Sequence, residues 1–153
     1  MKHSLQDASE RLWRAAKQWP RPNAQELAVL RLKLSRMASG ECFVALAEPF
    51  TAESPEARDA QEYAGRLFLQ LKPIPPYGAK ETTRQLLSKW DVSVEQLPWY
   101  LEAVLGADAL AGALLELEST SEVSPQVIET VRFWLRVPLE QRGWSVQPAR
   151  VTV

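Results

Sequence analysis

Seven carboxylates and no basic residue fall between Asp91 and Glu122: Asp91, Glu95, Glu102, Asp108, Glu116, Glu118 and Glu122. Paired carboxylates can pass a proton back and forth as general acid and base, and tyrosines can assist them. A cleft that joined these acids to Tyr63, Tyr77 or Tyr100 would therefore be an enzyme-like site, and this is one chemical reading of the chain. Nucleophilic catalysis has less material. The one histidine, His3, lies at the terminus, and the one cysteine, Cys42, sits on the apolar side of its segment and reads as a packing residue. A single His and a single Cys cannot supply the soft ligands of a zinc-type site, and the six glycines are scattered rather than grouped into a phosphate-cradling loop. Neither a metal nor a cofactor is expected.

The acidic run also contains the densest set of folding signals. In WDVSVEQLPWYLEAVLG, residues 90–106, Ser93 and Gln96 have the spacing of a capping box, and Gly106 supplies a stop. Pro98 has no N–H and crowds the carbonyl four residues back, which predicts a turn over 94–97 and a second helix opening at Pro98. Leu97, Leu101, Val104 and Leu105 then share one face, and Trp99 points to the other side beside Glu95 and Glu102, with Tyr100 on the same edge. An indole so placed either packs against a second helical layer or stands exposed as an interface anchor. The leading expectation takes the second course. It is a non-catalytic helical protein-interaction domain, of adaptor or inhibitor type, with Trp99 and Tyr100 as apolar anchors and Glu95 and Glu102 as rim charges toward a basic protein partner.

Bulk properties narrow the classes further. With 153 residues, 46% hydrophobic and 24% charged, the chain can bury one core, and a single all-α domain over 1–144 is expected, with a tail over 145–153 that is either disordered or laid along the surface. The net charge of −1 predicts no general attraction to nucleic acid. Residues 1–40 alone carry eight Lys and Arg against three Asp and Glu, so Arg11, Arg14, Lys17 and Arg21 define a nucleic-acid-binding alternative. A single cysteine suits a reducing compartment, and neither an apolar leader nor a run of about 18 apolar residues is present, so a cytoplasmic location without a membrane span is expected. Pro73–Pro76 fits the PxxP pattern but reads as a helix connector.

The remaining segments must hold these groups in place. Helices are expected from Ser4 to Gln18 and from an Asn23 cap to Gly40, the second apolar on two sides and hence sandwiched, with Leu30 and Leu34 facing one way and Val29 and Leu32 the other. Residues 41–50 read as a short helix, with strand as the alternative. Ser54–Pro55 should start a helix to Leu71 whose Ala60, Ala64 and Gly65 allow close approach. Further helices over 80–89, 108–118 and 125–136 and a short turn over 139–143 complete an all-α chain. Seven or eight helices in antiparallel hairpins, packed as a bundle or short α-solenoid-like array, are predicted. No oligomeric state is implied.

Overall fold

A computed structural model describes residues 2–19, 21 and 23–146. Residues 147–153 of the expected tail, and the side chain of His3, lie outside the described set. Among the described residues the chain forms nine α-helices: α1 (Lys2–Ala16), α2 (Ala24–Ser35), α3 (Ser39–Ala47), α4 (Ala57–Leu71), α5 (Ala79–Leu87), α6 (Gln96–Leu105), α7 (Ala107–Ser119), α8 (Pro125–Leu135) and α9 (Leu139–Val146). A 3₁₀ turn, Glu48–Phe50, follows α3, so residues 41–50 are helical and not a strand. The ninth helix, one more than expected, arises because the turn after Pro138 continues to Val146. Among the described residues no helix is long and apolar enough to cross a membrane.

Local capping explains several boundaries. The Asn23 side chain accepts hydrogen bonds from the N–H groups of Gln25 and Glu26, and Ser124 accepts one from Val127, so α2 and α8 start where the sequence indicates. Gly106, at φ 89°, ends α6 and at once opens α7. Elsewhere the signals are overridden. Ser54 turns its hydroxyl to the Glu56 carboxylate at 2.8 Å, and α4 opens at Ala57. Gly40 does not stop α2, which ends at Ser35; it lies in the first turn of α3.

The expected break at Pro98 is also corrected. Helix α6 begins at Gln96 and runs through Pro98, which falls in the first turn, where a backbone N–H would have no intrahelical acceptor to lose. Ser93 and Gln96 form no capping box. Ser93 bonds to Asp91 at 2.6 Å, and the Gln96 amide donates to Glu62 at 3.1 Å.

From α4 onward the helices stack in two rows. Helices α4, α6 and α8 contact one another in succession, and α5 lies along α7, a solenoid-like order. Helix α1 packs on α2, α3 and α4 and closes the N-terminal end. The core gathers Leu12, Phe43, Phe50, Phe68, Leu86 and Leu101. Phe68 is its centre: the Tyr100 ring stacks on it at 4.3 Å, with Phe43 and Phe50 at 5.7 and 6.0 Å.

The α4–α6 contact is close because Gly65 lacks a side chain. A Cβ there would lie 3.1 Å from both Val94 Cγ1 and Gln96 Cβ, whereas one on Gly112 in α7 would meet nothing within 4 Å. Gly65→Ala is expected to destabilise the fold by about 1–2 kcal/mol, because Val94 and Gln96 are fully buried and cannot give way, so overpacking outweighs the gain in helix propensity. Gly112→Ala is expected to stabilise it by up to about 1 kcal/mol through helix propensity. Urea denaturation of the two variants checks the opposite signs.

Candidate binding site

The acidic, aromatic stretch folds inward. Trp99 is 5% exposed and Tyr100 fully buried, so the expected anchors are internal. The Trp99 indole N–H donates to the Trp134 carbonyl at 2.9 Å, and the two rings meet edge to face at 6.3 Å. Arg142 of α9 stands over the same ring at 6.0 Å, pairs with Glu102 and also bonds the carbonyls of Leu135 and Val137 at the end of α8. Helices α8 and α9 are thus the second layer that covers Trp99. Tyr100 points elsewhere, donating its hydroxyl to the Pro73 carbonyl, and burial pushes the phenol well above its ordinary range.

Most of the other carboxylates of the run are also engaged within the chain. Lys80 lies 3.4 Å from Glu116 and 3.3 Å from Glu122, and Arg132 lies 3.3 Å from Glu118. Glu95 is half-buried, and its carboxyl is raised by desolvation first and by the nearby Glu62 second. The sequence-level picture of a free acidic face toward a basic partner is therefore corrected: lysines and arginines of the flanking segments occupy it.

The basic alternative is likewise diluted. Arg11 pairs with Asp7 at 3.1 Å and Arg14 approaches Glu26 at 4.0 Å, while Lys17 helps hold Glu56 low and Arg21 is exposed. The three tyrosines do not converge on acids in one cleft. Tyr77 borders a small cleft with Glu48, but that carboxylate accepts from the Trp13 indole at 2.6 Å and the Ser9 hydroxyl, tying the turn after α3 to α1. Cys42 is buried and its thiol is pushed up to about 11 by desolvation, which suits packing. Among the described residues no group of three or more His, Cys, Asp or Glu could hold a metal ion.

The open feature lies between α2 and α4. Both helices pack on α1 but scarcely touch each other, which leaves a groove of about 310 Å³. Leu27 and Arg31 come from one wall, and Tyr63, Arg66 and Leu67 from the other. Arg66 bonds to Glu62 at 3.2 Å and, with Arg58, stacks on Trp19 at 5.4 and 5.6 Å. The Tyr63 ring meets Trp19 edge-on at 5.2 Å, yet its buried hydroxyl has no hydrogen-bond partner. On the outer side of α2, Val29 and Leu32 are 41% and 49% exposed, so the helix expected to be sandwiched is covered on one side only. Its two apolar stripes were the available signal. The groove itself joins residues more than thirty positions apart and leaves none.

Compared with known protein families, curated proteins and solved structures, the chain matches none.

Two outcomes follow from this geometry. Trp99→Ala is expected to cost about 3–5 kcal/mol in chemical denaturation, because it empties a filled interior site between α6 and α8. Glu95 makes a pH test possible. Its folded carboxyl is raised, so its stabilising protonated form is populated below the ordinary value of 4.5 and is lost as pH rises through the raised one. Glu95→Gln should thus match the parent near pH 4 and exceed it in stability at pH 7. The lowered carboxyls of Glu53 and Glu122 act in the opposite direction in both proteins, and the difference between the two curves isolates Glu95.

Proposed function

We propose that the chain is a non-catalytic helical interaction domain that binds a protein partner through the α2 side of the molecule. One observation carries the reading. Helix α2 packs substantially on α1 alone and holds Val29 and Leu32, one turn apart, outward in water. Exposed apolar side chains in sequence on one helix face, next to an open groove, are the pattern of a helix-lined docking surface. The acidic stretch supports it indirectly, since its carboxylates and indole are used to hold α6, α7 and α8 together.

A paired substitution tests the reading. Leu32→Asp should leave the unfolding free energy within about 0.5 kcal/mol, as expected of an exposed site, and weaken binding of the native partner by about tenfold or more. Leu115→Asp, at a 63% exposed position on α7, should leave binding unchanged. Loss of binding in the α7 variant with full binding in the α2 variant, measured by titration calorimetry, would move the interface to the opposite side.

A further inference from the structure

We infer that the α2–α4 groove receives an acidic segment of the partner, a carboxylate flanked by apolar side chains. The inference rests on the interaction-domain reading and adds the chemistry of what is bound. Along α4 the groove residues Tyr63, Arg66, Leu67 and Gln70 recur at three- and four-residue spacing over two turns, about 10 Å of helix. Leu27 and Arg31 of α2 repeat the same order, apolar then basic, on the facing wall. A strip of this periodicity suits a helix laid lengthwise into it rather than a compact molecule.

Charge selects the occupant. Arg31 is exposed and has no carboxylate partner among the described residues. Arg66 is 44% exposed and shares Glu62 with Arg58, which also lies 3.7 Å from Asp59. Glu95 also lies near Arg58 and Arg66, so this side as a whole is balanced at three arginines to three carboxylates, but the lining of the groove itself holds Arg31 and Arg66 and no carboxylate. Guanidinium groups on opposite walls can take the two oxygens of one carboxylate, while Leu27 and Leu67 meet its apolar neighbours. Tyr63 supplies an independent observation. It is 2% exposed, lines the groove and holds a hydroxyl with no acceptor, whereas buried donors are nearly always satisfied. The hydroxyl itself is enclosed, so the incoming carboxylate supplies the missing acceptor only as side chains of the groove wall move aside on binding.

The test uses the full chain and two fluorescein-labelled, end-capped helical peptides. Both carry leucines at i, i+3 and i+7, and they differ only in having glutamate or glutamine at i+4. Fluorescence polarisation at low salt should show the glutamate peptide binding at least tenfold more tightly. Arg31→Ala should remove that advantage and leave the glutamine peptide unaffected. Tyr63→Phe should weaken the glutamate peptide about threefold without lowering the melting temperature, because the hydroxyl it removes is unpaired. Equal affinity for the two peptides, or an advantage that survives Arg31→Ala, overturns the acidic assignment. Displacement of the glutamate peptide by octanoate at lower concentration than by unlabelled peptide overturns it in favour of a small amphiphile. Failure of both peptides to bind, while the native partner still requires Leu32, overturns the acidic assignment alone. A native partner indifferent to Leu32 overturns the reading beneath it.

Discussion

The side-chain amide of Gln61 lies where two segments, the 3₁₀ turn after α3 and the stretch after α5, converge on α4. Its Nε2 donates to the carbonyls of Pro49 and Lys89 at 3.1 and 2.9 Å, and its Oε1 accepts from the Asp91 N–H at 2.8 Å. Three backbone groups are thereby satisfied by one residue; the Pro49 carbonyl, in the interior, would cost about 1–3 kcal/mol if left unpaired, and the other two are partly buried. The next residue, Glu62, holds the Gln96 amide, and Gly65 admits Val94 and Gln96 against the α4 backbone. Residues 89–96 are thus laid along α4, and that sets how α6 is rotated. Tyr100 is directed onto Phe68 and Trp99 onto α8.

Once α6 is held in that rotation, the electrostatics follow. The acidic run from Asp91 to Glu122 is bordered in sequence by basic segments, and the row-like stacking of α5, α7 and α8 brings them together in space. Lys80 reaches across from α5 to Glu116 and Glu122, and Arg132 reaches back from α8 to Glu118. These pairs are partly exposed and each contributes little to stability. Their larger consequence is to cancel the field that a free acidic face would project. Arg142 differs, being more deeply placed and bonded to the carbonyls of Leu135, the last residue of α8, and of Val137 just beyond it, as well as to Glu102. Helix α2, which has no second neighbour, keeps Val29 and Leu32 in water.

Features decided within a few residues were legible in the sequence. The Asn23 and Ser124 caps, the stop at Gly106, the close approach at Gly65 and the all-helical class follow from local chemistry and periodicity. The Trp99 face was also readable, since the indole and Glu102 do leave α6 on a side that Arg142 caps. What covers that face was not, because α8 and α9 reach it from more than thirty residues away. Ser54, Ser93 and Gln96 misled for one reason: each polar side chain found a better partner than the helix end it was matched to. The two-sided apolar pattern of α2 was visible and its cause misjudged, since a helix with two apolar faces can expose one of them. Arg31, Arg66 and Tyr63 share no local motif and line one groove only because α1 holds their helices apart.

The most direct measurement of this account is hydrogen exchange at the tryptophan indole N–H groups, followed by NMR in the native state. Trp99 donates to a carbonyl in the interior between α6 and α8, so its indole proton should exchange only through opening of the fold, at a rate near that of the buried, carbonyl-bonded Trp90 indole. A Trp99 indole proton that exchanges at the rate of a freely solvated one would contradict the account and return the acidic stretch to the surface.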